Sequence, residues 1–434
     1  MRVLDVRVEA FLIAVVTIPI LGTFFPLESY LSAPTMANPL GTPVETTRAT
    51  SIILTLLAAA VVGLLAWDRE HGARALARNW PVLLLVGWMF VTASWSESPF
   101  VSINRTGRAL IVSLYAIYLA ESFDERRLMR ILFVSLIIGM IACVLITVAV
   151  PSLSRSVDAR GVWRGAYVGK NATGAVAALG LLFGLYCWVG AQIKRGPAFL
   201  LVVLSATFVV LSNSVTALLA VLVAIAVALW FRIFTTGQRE SRLFAVTLSV
   251  LGAGLLVVLI MSASEELAIA GRDATFTGRT DIWRFAERMS SESPFWGYGH
   301  GAWGFPNFSA KVRYFLGWPS PHAHQTWLDY RLQLGLPGLV FGVTVWLMAA
   351  KRGLAAAVHA PGTEYLVWIA VLIFAFLRSF SETVGVEPGT VDLFWIVLAS
   401  ARLRMLLPTG VATDAVRSES RVLRRVARQA ARSS

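Results

Sequence analysis

The sequence predicts an all-α membrane protein, a polytopic bundle of about twelve transmembrane helices with one large outward-facing loop. Three observations lead there. Hydrophobic residues make up 57% of the chain and charged residues only 15%, with a mean hydropathy of +0.69. A soluble protein this apolar could not cover its surface, whereas a lipid-facing surface removes the problem. Apolar runs recur along nearly the whole of the 434 residues, which overrules the two or three soluble domains that length alone suggests. The polar residues best suited to chemistry gather in one stretch, 263–335.

A helix needs about 20 residues to cross a bilayer core. Twelve candidate spans follow, centred on 8–27, 50–67, 80–96, 106–121, 131–150, 172–190, 197–212, 214–231, 243–262, 336–350, 365–380 and 391–405. The seventh and eighth meet at a tight hairpin, Asn213-Ser214. The first resembles a signal peptide in its flanking Arg2 and Arg7 but lacks a small-x-small cleavage site, so it is expected to stay as a span. Residues 1–262 thus hold spans one to nine. The large loop covers 263–335, spans ten to twelve cover 336–405, and 406–434 is a basic tail.

The net charge of +13 does not point to nucleic acid, because most basic residues lie between apolar runs or in the tail. Arg69, Arg74 and Arg78, Arg126, Arg127 and Arg130, Lys194 and Arg195, Arg232, Arg239 and Arg242, and Lys351 and Arg352 all fall on one side. The positive-inside rule puts that side, and both termini, in the cytoplasm of a bacterial inner membrane. The tail arginines Arg417, Arg421, Arg424, Arg425 and Arg428 suit anionic lipid heads. Cys143 and Cys187 lie within apolar spans and indicate neither a disulfide framework nor a metal site.

Two outer loops break the charge bias. One carries Arg155, Arg160, Arg164 and Lys170; the other carries Arg272, Arg279, Arg284, Arg288, Lys311, Arg313 and Arg331. Positive charge on the translocated side suits an anionic ligand, although long loops also translocate regardless of charge. In the large loop, Gly278-Arg279-Thr280-Asp281 opens a short helix that Thr280 or Asp281 can cap, with Ile282, Phe285 and Met289 as its apolar stripe. Arg279 at that helix start can grip phosphate oxygens, or can be an ordinary surface arginine. Gly297 and Gly299 allow a tight turn and close backbone approach to a ligand. His300, His322 and His324 are three of the five histidines, and histidine is the side chain best suited to take a proton near neutral pH. His-x-His lacks the third ligand a metal site needs, so no metal is expected. Near span eleven, Arg378 and Glu382 are either functional or a structural ion pair.

These residues fall in a familiar order. Trp95, Ser96 and Pro99 follow span three. Then come Gly161, Trp163, Gly165, Lys170 and Asn171, the Ser212 and Ser214 hairpin, and Gly278, Arg279 and Trp283. Gly297 and Gly299, His324, Leu328, Gly335 and Gly338, and finally Glu382 complete it. Over about residues 80–400 the chain resembles the O-antigen ligase and exopolysaccharide polymerase superfamily. One departure stands out: the family's His-Asn is His324-Gln325 here, which keeps the amide and lengthens it.

The resemblance implies a glycosyltransferase that uses glycan on undecaprenyl diphosphate, with no nucleotide sugar, metal or other cofactor. The chain has no Asp-x-Asp, in keeping with this. Lys170 and Arg279 are then expected to bind the diphosphate, assisted by Arg164 or Arg378. His324 accepts a proton from the acceptor sugar as it attacks, inverting the anomeric carbon. Asn171, Gln325, Trp283, Gly297, Gly299 and Glu382 support the site. Expected partners are the lipid-linked oligosaccharide, a glycan acceptor, membrane lipids and, for a polymerase, a chain-length regulator. An exopolysaccharide polymerase is preferred. A ligase attaching O-antigen to lipid A core, a protein-glycosylating relative, a transporter or flippase, and a structural export protein are the alternatives. A transporter is disfavoured by the lack of an internal repeat.

Overall fold

The computed structural model describes residues 62–63, 69–154, 162–167, 169–190, 193–236, 279–360, 362–385 and 392–407. Most of the first, second and ninth expected spans, the start of the large loop and the basic tail lie outside these residues. Among the described residues the secondary structure is helical, with no β-strand.

The longer helices are α1 (Arg69–Arg78), α2 (Trp80–Thr92), α3 (Pro99–Ser122), α4 (Glu125–Ala149), α5 (Lys170–Val189), α6 (Arg195–Leu211), α7 (Val215–Thr236), α8 (Arg279–Glu292), α9 (Pro306–Leu316), α10 (Thr326–His359), α11 (Tyr365–Arg378) and α12 (Asp392–Met405). Four of them, α4, α5, α7 and α10, are long and apolar enough to cross a membrane. The pair α1 and α2, bent by 82° at their junction, makes a fifth if it crosses as one. The α6 and α11 helices are apolar but shorter. The expected span over 106–121 belongs to a longer helix. Proline at its first turn starts α3 at Pro99, and its first half carries Asn104, Arg105 and Arg108.

Small residues let the helices approach. The α5–α6 pair is the closest packed. A Cβ on Gly184 would stand 3.0 Å from Val202 Cγ2, and one on Gly180 would overlap Ser205 Oγ. Without a hydrophobic gain from leaving lipid, such close backbone contact is the main source of association. Around it, α7 packs on α11, α3 on α12, and α2 on α10. Trp368, Trp395, Phe183, Phe394 and Tyr115 fill the centre. The Phe183 ring lies 5.6 Å from Trp368 and 5.1 Å from Trp395.

Two buried arginines, Arg352 from the charge pattern and Arg402 within the expected last span, tie helices together. Arg352 is buried and donates to Asn79 Oδ1 at 2.8 Å, to Ser400 Oγ at 3.0 Å and to the Arg78 carbonyl. It thus fastens α10 and α12 to the α1–α2 bend. Arg402 pairs with Glu125 at 2.7 Å and donates to the carbonyls of Ala120 and Phe123, satisfying carbonyls left open at the end of α3.

The expected boundary at residue 335 is a break inside α10. Gly335 has φ 68° and ψ −167°, and Pro337 follows without an N–H. The break leaves carbonyls without helical partners, and other segments supply donors. Tyr298 N binds Leu332 O at 3.0 Å, Gly299 N binds Gln333 O at 2.8 Å, and Trp88 Nε1 binds Leu334 O at 2.8 Å. Leu336 N turns away to Pro294 O at 3.0 Å. The short arm, 326–334, is thereby stitched to the loop after α8. A second apolar cluster forms beside it from Ile282, Phe285 and Met289 of α8, Phe308 and Val312 of α9, and Trp303.

Candidate functional site

Four chain segments meet at Glu382. The carboxylate is buried in the turn after α11. Its Oε1 accepts from Arg279 Nη2 at 2.8 Å and from Asn171 Nδ2 at 2.7 Å. Its Oε2 faces His324 Nδ1 at 3.4 Å. Ser214 of the α6–α7 hairpin donates to Asn171 Oδ1 at 3.2 Å. Burial alone would raise the Glu382 carboxyl. The hydrogen bond from His324 and the charges of Arg378 and Arg279 outweigh it and hold the group at about 2. The carboxylate is therefore ionised at neutral pH.

Arg279 is the first residue of α8, where the helix end favours negative charge. Besides Glu382 it donates to the Ser381 carbonyl. The α8 stripe of Ile282, Phe285 and Met289 is buried as its spacing predicts. The caps are not as expected. The helix starts at Arg279, so Thr280 and Asp281 lie inside its first turn, and Asp281 instead pairs with Arg284 at 3.0 Å.

His324 is one of two non-glycine residues with positive φ among the described residues, at 52°. Such a backbone costs energy and persists where its surroundings hold it. Here the holds are specific. Its N–H donates to His322 Nδ1 at 3.2 Å, and Trp283 Nε1 binds the preceding carbonyl, of Ala323, at 3.0 Å. His322 is kept neutral: burial first, then the neighbouring His324, push its imidazole down to about 3. With Nδ1 as acceptor, its proton sits on Nε2. Gln325 does not touch the imidazole through its amide; it caps α10, its Oε1 accepting from Leu328 N at 2.5 Å.

A carboxylate on Nδ1 fixes which nitrogen of His324 carries hydrogen and leaves Nε2 as the basic atom. The arrangement can therefore take a proton, beside a guanidinium that can meet developing negative charge. Lys170, the first residue of α5, is exposed next to Asn171. Arg164 lies in the preceding turn, where its carbonyl accepts from Thr173 Oγ1. Arg378 is placed differently from the expectation. Its guanidinium is buried in an ion pair with Asp392 of α12 and reaches the Glu382 carboxylate only through its field. The Glu382 and Arg378 side chains are thus not each other's partners.

Other expected features turn inward. His300 is fully buried, with Nδ1 on Thr106 Oγ1 at 2.8 Å, far in role from the His322–His324 pair. Gly297 and Gly299 have φ 66° and 98°, and the close approach they allow is to the chain itself. A Cβ on Gly297 would meet Gly335 N at 2.6 Å, and one on Gly299 would meet Ser96 Cβ at 2.8 Å. Gly165, at φ 56°, packs on Cys143 in the same way. Among the described residues no group of three or more His, Cys, Asp or Glu is arranged to hold a metal ion.

The sequence reading missed Asp329 and Thr383. Asp329 is fully buried and accepts from Trp303 Nε1 at 2.6 Å, Ala323 N at 3.0 Å and Thr383 Oγ1. Its signal was a lone carboxylate within an apolar stretch, Trp327-Leu328-Asp329-Tyr330, a setting in which acids are seldom found unless satisfied.

A family model described as Wzy_C, O-antigen ligase, matches residues 200–343, a stretch that contains Arg279 and His324. The exopolysaccharide production protein ExoQ of Rhizobium meliloti (strain 1021) is 26% identical over 339 residues, covering 72% of this chain and 74% of that protein. The helical architecture, the order of the motifs and these two similarities point the same way: the chain is similar to the O-antigen ligases and to ExoQ-like exopolysaccharide production proteins.

Proposed function

We propose that this protein is a metal-independent, inverting glycosyltransferase that extends an exopolysaccharide from repeat units on undecaprenyl diphosphate. His324 takes the proton of an acceptor sugar hydroxyl. The oxygen bonds to the anomeric carbon as the bond from that carbon to the phosphate oxygen breaks. The electron pair leaves on the diphosphate, whose charge is met by Arg279 and Lys170, with Arg164 beside them and Arg378 acting from behind. The observation that carries this reading is the Glu382 carboxylate shared by Arg279 and His324, at 2.8 and 3.4 Å. The gap to His324 is at the long end for a hydrogen bond, and catalytic contacts of this kind tighten in the reacting complex.

The cluster lies at helix ends, near the starts of α5, α8 and α10 and the end of α11. That suits an enzyme working at the membrane surface better than a transporter, whose sites lie near the midplane. In this reading the protein crosses the bacterial inner membrane twelve times, with both termini cytoplasmic and the site periplasmic. A chain-length regulator would act with it.

Similarity to an exopolysaccharide production protein favours the polymerase reading. The family description favours a second reading, a ligase that moves finished O-antigen to lipid A core. A deletion strain separates them by its surface polysaccharide and lipid-linked pool. Single repeat units on the carrier without high-mass polymer identify a polymerase. Full-length chains on the carrier with bare lipid A core identify a ligase. An unchanged profile overturns both.

A further inference from the structure

The two groups that the proposed chemistry needs, His324 and Glu382, come from segments 58 residues apart, and each is a loop residue. Something must hold them in register. The first turns of α10 do so twice. Thr326 Oγ1 donates to the Glu382 carbonyl at 2.9 Å and accepts from Val384 N at 2.7 Å. Three residues on, Asp329 Oδ2 accepts both the N–H of Ala323, next to His324, and the hydroxyl of Thr383, next to Glu382.

The other oxygen, Oδ1, faces away from the site. It accepts from Trp303 Nε1 at 2.6 Å and Gln333 Nε2 at 3.3 Å, and Gln333 in turn accepts from Gly301 N at 2.7 Å. A carboxylate has acceptors only, and every one of these partners is a donor. The group therefore joins the two site loops on one side and braces them against the outer loop on the other.

We propose that Asp329 is a positioning residue, whose carboxylate sets the gap between His324 and Glu382 by binding the neighbour of each. The proposal rests on His324 being the base. An amide in place of the carboxylate would leave one of its two ends facing donors with a donor. A displacement of about 1 Å between reacting groups lowers rate on the order of 100-fold.

The test uses the purified full chain in lipid nanodiscs, with lipid-linked repeat unit extracted from the deletion strain as donor. Thr383→Val keeps the shape and removes the donor to Oδ2. It is expected to lower kcat at least about 10-fold with KM for the donor nearly unchanged, and Thr383→Ser is expected to restore kcat. Trp303→Phe removes a donor from Oδ1 and is expected to lower thermal stability while leaving kcat within about 3-fold. Asp329→Asn should lose on the order of 100-fold in kcat. If that variant does not fold, the Thr383 pair still decides. Full kcat in Thr383→Val, or a loss that Thr383→Ser does not restore, overturns the positioning role. His324→Ala distinguishes the two levels. Activity retained there removes the base itself, whereas a dead His324→Ala beside a fully active Thr383→Val removes only the role of Asp329.

Discussion

Replacing Glu382 by Gln separates charge from shape at the centre of the site. The carboxyl is held at about 2 against an ordinary 4.5, a preference for the charged form of about 3 kcal/mol, or on the order of 100-fold. That preference exists because burial is outweighed by His324, Arg378 and Arg279. An amide forfeits it. The geometry adds a second loss. Gln can offer its oxygen to Arg279 and Asn171, but its NH2 then faces His324 Nδ1. The imidazole must accept there, which moves its hydrogen to Nε2 and removes the basic atom. Glu382→Gln is therefore expected to lower kcat at least about 100-fold, with normal insertion and helical content. The assay is turnover of lipid-linked repeat unit by purified protein in nanodiscs, read as polymer formed per time. A variant within about 3-fold of the native kcat would refute the reasoning. The same carboxylate gives an acid signature. Because its folded value lies below the ordinary one, the stability it contributes is present above about 4.5 and is lost as pH falls toward about 2. His322, neutral when folded down to about 3, adds a loss that begins below about 6.5. The thermal midpoint should fall steadily from pH 6.5 downward, and the part due to Glu382 should be missing in Glu382→Gln.

Two further predictions concern the frame around the site. Gly335→Ala would place a Cβ onto the Phe295 carbonyl at a φ of 68°, so a loss of more than about 3 kcal/mol is expected. It should appear as failed accumulation or a thermal midpoint many degrees lower, while Gly107→Ala, with open space around it, should be neutral or stabilising by up to about 1 kcal/mol. Gln325→Ala removes the α10 cap and should cost about 1 kcal/mol. Gln325→Asn, the residue the superfamily pattern has there, caps well and should keep both stability and turnover.

The legible parts of the fold and site are those written in local periodicity. The α8 stripe follows the 3.6-residue repeat, so its buried face and the position of Arg279 at its start could be read directly. The hairpin at Asn213 could also be read, since Asn tolerates the left-handed backbone found there, φ 50°. What could not be read was the choice of partner. Arg378 had Glu382 four residues away and Asp392 fourteen residues away, and it pairs with the farther one, at the start of α12. His300 and His324 look alike in a sequence. One faces Thr106 from α3 and the other Glu382, contacts of 194 and 58 residues' separation. The glycines were recognisable as turns, but nothing local states that they press on the chain's own backbone and not on a ligand.

One backbone break explains why a protein with so little charge can assemble this cluster. Ionisable groups at membrane depth are expensive, so a site built from Arg, Glu and His belongs where helices end. A straight α10 would bury its first turns among apolar neighbours. The break at Gly335 instead lets the arm 326–334 leave the line of the long helix, and the carbonyls that it frees are taken by Tyr298, Gly299 and Trp88. The loop after α8 is thus fixed by the same hydrogen bonds that end the helix. With the arm in place, Gln325 caps its start, Thr326 holds the Glu382 carbonyl, and Asp329 holds Ala323 and Thr383. The placement of His324 opposite Glu382 follows from these contacts, and none of them depends on a charge being buried without a partner.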